Sequence, residues 1–292
     1  MVEQSIKIGI IYGLLSAFIF AVMSQFVKIL GPDVPVSMLL FFRFFISLLI
    51  LIPFLIMDKE FKFGLIPPYP KLYLIRIVCP LIALGIIFYS INRFEIVNVL
   101  LLQNSAPLFV PVIAWLIFRV STPFKVKLGL ITGFIGLAII LKPSINIVEQ
   151  LHSFLPLLAG VLIAMASISI RLIGNVNTPN QMFFYFFYIS TVISGIYAAF
   201  TWKTPETINQ WMLIIGIGVS GLFYQVLLSL SFMKAPVRLT SPLIFMQTVF
   251  VALIDWIIWS SVPSISTLTG AFLVITGGII TIYFGLGMVR KI

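Results

Sequence analysis

The sequence predicts an all-α transmembrane protein: ten helices, arranged as two inverted five-helix repeats, with the N- and C-termini cytoplasmic. Three observations lead there. The chain has 292 residues, of which 61% are apolar and 9% charged, whereas soluble domains are about a quarter charged. Its apolar residues fall in runs of about 20, enough to cross a ~30 Å hydrocarbon core at 1.5 Å per residue. Parts of the first half also recur in the second at a nearly constant shift.

The expected spans are 8–29, 36–57, 72–91, 96–118, 125–141, 154–174, 182–200, 211–233, 238–259 and 266–287. The first is longer than the 7–15 apolar residues of a signal peptide, and no small-residue cleavage site precedes Lys28, so it reads as a retained helix. Gly31, Pro32, Asp33 and Pro35 separate it from the second, and the longest break, Asp58 to Lys71, contains Pro67, Pro68 and Pro70. Period-two strands are absent, which argues against an outer-membrane barrel.

Basic residues set the orientation. With the N-terminus inside, the cytoplasmic segments contain Lys7, Lys59, Lys62, Lys71, Arg76, Arg119, Lys125, Lys127, Arg171, Lys234, Arg238, Arg290 and Lys291. The outer segments contain only Lys28, Arg93, Lys142 and Lys203. The bias is consistent through all ten spans. It also explains the net charge of +10 as loop charge that bears on topology, not as a nucleic-acid surface.

A shift of 141 lays the fourth and fifth spans on the ninth and tenth: Trp115 meets Trp256, Gly129 meets Gly270, and Gly136 meets Gly277. A shift of 143 lays the start of the chain on the sixth and seventh: Ser24 meets Ser167, Lys28 meets Arg171, and Gly31 meets Gly174. The expected units are residues 1–146 and 147–292. An odd number of helices in each forces opposite orientations, the inverted-repeat plan of secondary carriers, with a site near the midplane.

The stretch Asn92 to Lys142 carries Asn98, Ser105-Ala106-Pro107, Ala114-Trp115 and the glycines Gly129, Gly133 and Gly136. It resembles the EamA repeat of the drug/metabolite transporter superfamily, and Arg43 within Phe41-Phe42-Arg43-Phe44 and Lys28 fit the same pattern. The resemblance covers both halves. It implies a ten-helix fold in a bacterial inner (plasma) membrane and transport of small metabolites, often amino-acid export. One departure stands out: where the family often has Gly-Glu, this chain has Arg119-Val120 and Ser260-Ser261.

Polar groups inside lipid are costly and each needs a reason. Arg43 is either a permanent cation for a carboxylate or phosphate, or a structural arginine bonded to carbonyls or an acid. Asp255, the one acid well inside a span, has four readings: proton coupler, ligand of a substrate amine, partner of Arg43, or interfacial acid beside Trp256 and Trp259. In the fourth span Gln103 and Asn104 sit near Pro107 and Pro111, whose rings free backbone carbonyls. Asn104, Pro107 and Pro111 share one face. In the ninth span Ser241, Thr248 and Asp255 recur every seven residues, with Gln247 alongside. Under the repeat both faces are expected on one central cavity. Tyr12, Ser16, Tyr89, Tyr224 and Gln225 complete the candidates, each tyrosine being equally readable as a packing aromatic.

The expected function is therefore secondary-type transport of a small polar metabolite, an amino acid or related compound, by alternating access. Export is the direction the resemblance implies; an uptake carrier, a lipid flippase and a channel are the alternatives. The few embedded charges favour a zwitterionic or neutral solute over a multivalent anion. No paired acids or Ser–His set supports an enzyme. One histidine, His152, and one cysteine, Cys79, leave no raw material for a metal site, and no cofactor is expected. The expected partners are the lipid bilayer, the solute and a second copy, the last through the glycine-bearing fifth and tenth helices.

Overall fold

The computed structural model describes residues 5–30, 34–59, 61, 64, 66–91, 102–119, 122–141, 154–260 and 262–289. These residues form α1 (Ile6–Leu30), α2 (Val36–Met57), α3 (Pro70–Ile91), α4 (Ala106–Phe118), α5 (Phe124–Leu141), α6 (Phe154–Val176), α7 (Pro179–Ala199), α8 (Ile208–Lys234), α9 (Met246–Trp259) and α10 (Ile265–Val289). No strand occurs among them. Among the described residues eight helical segments are long and apolar enough to cross a membrane, and Ala106–Ile117 is a shorter apolar one.

Local chemistry sets several boundaries. Thr178 caps α7 by accepting from the Gln181 backbone N–H at 3.4 Å, with Pro179 in the first turn where its missing N–H costs nothing. Thr207 and Gln210 form a reciprocal capping box at the start of α8.

Two expected spans are corrected. The fourth is not one continuous helix. Residues 102–103 are helical, Asn104 and Ser105 form a turn, and α4 starts only at Ala106; residues 92–101 lie outside the described set. Pro107 explains the break, because its ring collides with the carbonyl four residues back. The ninth span opens with a short helical turn, Val237–Thr240, then a 3-10 segment, Ser241–Phe245, before α9. Pro242 lies at the start of that segment. A 3-10 turn advances about 120° per residue against about 100° in an α-helix. Ser241 is thereby rotated off the face that Thr248 and Asp255 were expected to share with it.

The interior is packed through small residues. α5 and α10 form the closest pair; α1 packs on α8, α3 on α6, α2 on α7 and α8, α1 on α9, and α4 on α6. A Cβ at Gly136 would lie 2.5 Å from the Gly270 carbonyl oxygen, and one at Gly277 would lie 2.5 Å from that of Gly129. The glycines that the sequence offers for close contact thus meet one another within the chain. Polar side chains lie inward: Ser16, Ser167 and Ser194 are buried and donate to carbonyls three or four residues back. Phe54, Ile56, Phe200, Phe272 and Ile279 face outward. Hydroxyls inside and bare hydrocarbon outside is the distribution a lipid solvent selects.

α4 and α9 both end in left-handed residues, Arg119 (φ 55°) and Ser260 (φ 52°). These are the two positions where the resemblance to the EamA repeat often implies glycine. A side chain in this region costs about 1–2 kcal/mol, partly offset by the entropy that glycine loses on folding. Arg119→Gly and Ser260→Gly are each expected to stabilise by about 1 kcal/mol, read as a higher Tm of the detergent-purified protein. An unchanged or lower Tm for both would show that the caps are unstrained.

Candidate functional site

A cavity of about 130 Å³ lies among α1, α2, α3, α6, α7 and α8, closed on one side by Gln103 from the turn before α4. That volume is several times what one water needs. The geometry is set by a four-residue ladder along α8. Gly221 faces Arg43: a Cβ there would lie 2.9 Å from Arg43 Cγ and 3.1 Å from its Nε. One turn on, Gln225 donates from Nε2 to Ser229 Oγ at 3.2 Å. Ser229, a further turn on, also accepts from Arg76 Nη2 at 3.3 Å.

Arg43 enters from α2. Its guanidinium carbon lies 5.5 Å from the Phe44 ring centre and 5.8 Å from that of Tyr224, within cation–π range. Gly221 leaves room for its stem, and among the described residues no acid or hydrogen-bond acceptor engages its head. The Tyr224 hydroxyl lies near Gln247 and near both arginines. Gln247 has its Nε2 buried without a partner.

Arg76 is the cavity residue that sequence reasoning missed. It was counted among the cytoplasmic loop cations, yet it is 3% exposed and stands as the seventh residue of α3. Its guanidinium carbon sits 4.0 Å from the centre of the Phe186 ring, and its Nε is buried without a partner. Pro80, one turn further along α3 and also on the cavity wall, removes the N–H that would pair with the Arg76 carbonyl. The available signal was position: an arginine two turns inside an apolar run is not a loop charge. Ser190, 0% exposed, adds a buried hydroxyl without a partner, and Gln103 an unpaired Oε1.

The other candidates fall elsewhere. Arg43, Gln103, Tyr224 and Gln225 line the cavity, and Gln247 lies behind the wall, near Tyr224. Asn104, Pro107 and Thr248 are not on its wall, so the expected pairing of an Asn104 face with a Thr248 face is not what lines it. The reason is the pair of helix breaks, which turn Gln103 inward instead. Ser16 is buried against its own helix, and Tyr12 is half-buried on α1 away from the wall. The Tyr89 side chain lies outside the described residues.

Asp255 does not pair with Arg43. Its Oδ1 accepts from Lys28 Nζ at 3.0 Å and from Gln25 Nε2 at 2.9 Å, tying α9 to α1. Arg171, the repeat equivalent of Lys28, instead donates from Nη1 to the carbonyls of Phe232 and Met233 at the end of α8, where a cation is favoured by the helix dipole. The Lys28 and Asp255 side chains are 49% and 29% exposed, so the pair is worth little. Asp255→Asn is expected to cost at most about 1 kcal/mol, read as a small fall in Tm that shrinks further at high salt as the pair is screened. A collapse of folding would mean the acid has a deeper role.

A family model described as the EamA-like transporter family matches residues 7–142 and again 151–283. Relatives include the pseudopaline exporter CntI of Pseudomonas aeruginosa, 27% identical over 94% of this chain and 96% of that protein. An S-adenosylmethionine uptake transporter of Rickettsia bellii is 26% identical over 96% of this chain and 95% of its own. A riboflavin transporter of Brucella anthropi is 24% identical over 83% and 86%. A crystal structure sharing 15% identity superposes with a TM-score of 0.79 over 94% of this chain and 98% of that one, a likeness of fold.

Proposed function

Because this chain belongs to the EamA-like transporter family, we propose that it is a secondary-type carrier of a small polar metabolite, working by alternating access around the α8-centred cavity. Its apolar helices make it an integral, multi-pass membrane protein, and its bacterial relatives indicate the inner membrane. The observation that carries the reading is the convergence of Arg43, Gln103, Tyr224 and Gln225 on one cavity. The membrane-spanning segments keep these groups from bulk water, and buried polar groups at such depth mark solute pathways.

Two opposed halves are supported by the packing. Exchanging the first five helices for the last five turns the α1–α8 contact into α6–α3, and α1–α9 into α6–α4, both of which occur; α5–α10 and α2–α7 map onto themselves. The glycine contacts of Gly129 with Gly277 and of Gly136 with Gly270 obey the same exchange. Arg43 and Phe186, and likewise Phe20 and Ile163, are related by the 143 shift and line the same cavity. A site straddling the junction is where rocking halves alternate its exposure. The loop-charge bias supports cytoplasmic termini. With their glycine faces filled, α5 and α10 would offer other surfaces to a second copy.

The test is flux into proteoliposomes containing the purified protein, offered labelled amino acids, nucleosides, cofactors and polyamines with and without a pH gradient. Selective, saturable uptake and counterflow are expected. Loading the label inside reads the other direction, which the relatives' names leave divided between export and uptake. Asp255→Asn should leave gradient dependence intact, since that acid is engaged with Lys28 and Gln25 away from the cavity. Flux that does not saturate would replace the carrier by a channel.

A further inference from the structure

The two arginines on the cavity wall come from different helices, and among the described residues nothing acidic stands with them. The described lining contains no Asp or Glu. The described acids are elsewhere: Asp58 accepts from Asn180 at 2.6 Å, Asp255 holds Lys28, and Glu206 lies in the turn ahead of α8. Two permanent cations facing one low-dielectric space without a counter-charge is a costly arrangement. A neutral or cationic solute would leave that cost in place, whereas an anionic one would remove it.

We propose that the cavity between Arg43 and Arg76 is an oxyanion site, taking a small organic solute with more than one carboxylate or phosphate group, its anionic ends held by the two guanidinium groups. This rests on the carrier reading above for its physiological meaning, but not for the binding itself. It reverses the expectation of a zwitterionic or neutral solute that the low count of embedded charges gave.

The geometry supports each half of the site. Phe186 covers the face of the Arg76 guanidinium, and Phe44 and Tyr224 flank that of Arg43. Aromatic contact on a guanidinium face leaves its N–H edges for the bidentate pairing that carboxylates and phosphates accept. Arg76 Nε and the Ser190 hydroxyl, buried and unpartnered on this wall, are two donors with no acceptor. Gln103 Oε1, unpaired on the same wall, is an acceptor suited to an amine or hydroxyl on the solute. Buried polar atoms in a native fold are ordinarily satisfied, so three orphans on one cavity point to a ligand that satisfies them. The spacing follows from α8: Gly221, opposite Arg43, and Ser229, bonded to Arg76, are eight residues apart, about 12 Å along the helix. Both charged groups lie near Tyr224, which stands between those two positions on α8.

The experiment uses the full-length protein in two independent measurements. In detergent, thermal shifts are recorded with succinate, 2-oxoglutarate, citrate and glycerol 3-phosphate, and with leucine, putrescine and riboflavin as uncharged, zwitterionic or cationic comparisons. In proteoliposomes, counterflow is measured with the same solutes in labelled form. The proposal expects stabilisation and saturable counterflow by the anions. Glycerol 3-phosphate, with a single anionic end, is expected to stabilise less than the di- and tricarboxylates, which reach both guanidinium groups. Arg43→Gln and Arg76→Gln should each weaken anion binding at least tenfold, while Arg76→Lys, which keeps charge but not the fork, recovers part of it. If Arg76→Gln does not fold, the Lys variant and the wild-type thermal shifts still decide. Anion stabilisation without counterflow would leave the site standing and defeat the carrier reading. Counterflow confined to neutral or cationic solutes, with no stabilisation by anions, would overturn the site and keep the carrier. Neither signal from any solute would defeat both.

Discussion

Gly277→Ala is expected to destabilise the protein by about 3 kcal/mol, while Gly278→Ala, its neighbour on α10, is neutral or gains up to about 1 kcal/mol from helix propensity. The contrast comes from what each new methyl would meet. At Gly277 it would lie 2.5 Å from the Gly129 carbonyl oxygen, 2.5 Å from Gly133 N and 2.8 Å from Gly133 Cα. All three are backbone atoms of α5, which cannot rotate away, so the two helices must separate and lose their contact over several turns. At Gly278 nothing lies within 4 Å. The measurement is Tm and recovered monodisperse protein for both variants in one detergent. Equal behaviour of the two would mean that α10 presents a different face to α5 than described.

Gly221→Val should raise the transport KM about tenfold or more with little loss of fold, since a misplacement of about 1 Å at a binding group can cost up to a hundredfold. Here the added atoms meet a flexible side chain. A Cβ at 221 would lie 2.9 Å from Arg43 Cγ and 3.1 Å from Nε, so the arginine stem yields and its guanidinium shifts off the rings of Phe44 and Tyr224. Folding is protected because no backbone stands in the way. A kcat left near the parent value with a raised KM would mark lost solute binding; parallel loss of folded protein would mark Gly221 as a packing residue only. An unchanged KM would remove Arg43 from the site. The Gly277 and Gly221 substitutions thus separate what holds the helices together from what the cavity does.

Much of the architecture was legible along the chain. The boundaries of α2, α5 and α6 agree with the expected spans to within two residues, because a long apolar run flanked by Pro, Gly or charge has one stable arrangement in lipid. The doubled glycines Gly129, Gly136, Gly270 and Gly277 announced close helix contact, and they make it with each other. What failed was finer. The seven-residue stripe of Ser241, Thr248 and Asp255 assumed one unbroken α-helix, and Pro242 with the 3-10 segment undid it. Of the two candidate amides Gln103 and Asn104, only Gln103 lines the cavity, because the break before α4 takes Asn104 off the face it was expected to share with Pro107 and Pro111. Arg76 is close to a loop along the chain, but α3 carries it two turns in, where it is 3% exposed.

The sequence by itself determined that this protein lives in a membrane, where its spans fall, and that its halves resemble each other. Those properties are sums over local stretches of chain, since hydrophobic length and small-residue spacing act on each helix separately. Only the tertiary structure decided which polar groups meet. Asp255 joins Gln25 across 230 positions, and Arg76 reaches Ser229 across 153, partnerships that no local pattern encodes. They depend on how each helix is rotated about its own axis, and that rotation is set by the packing of glycines and prolines on neighbouring helices.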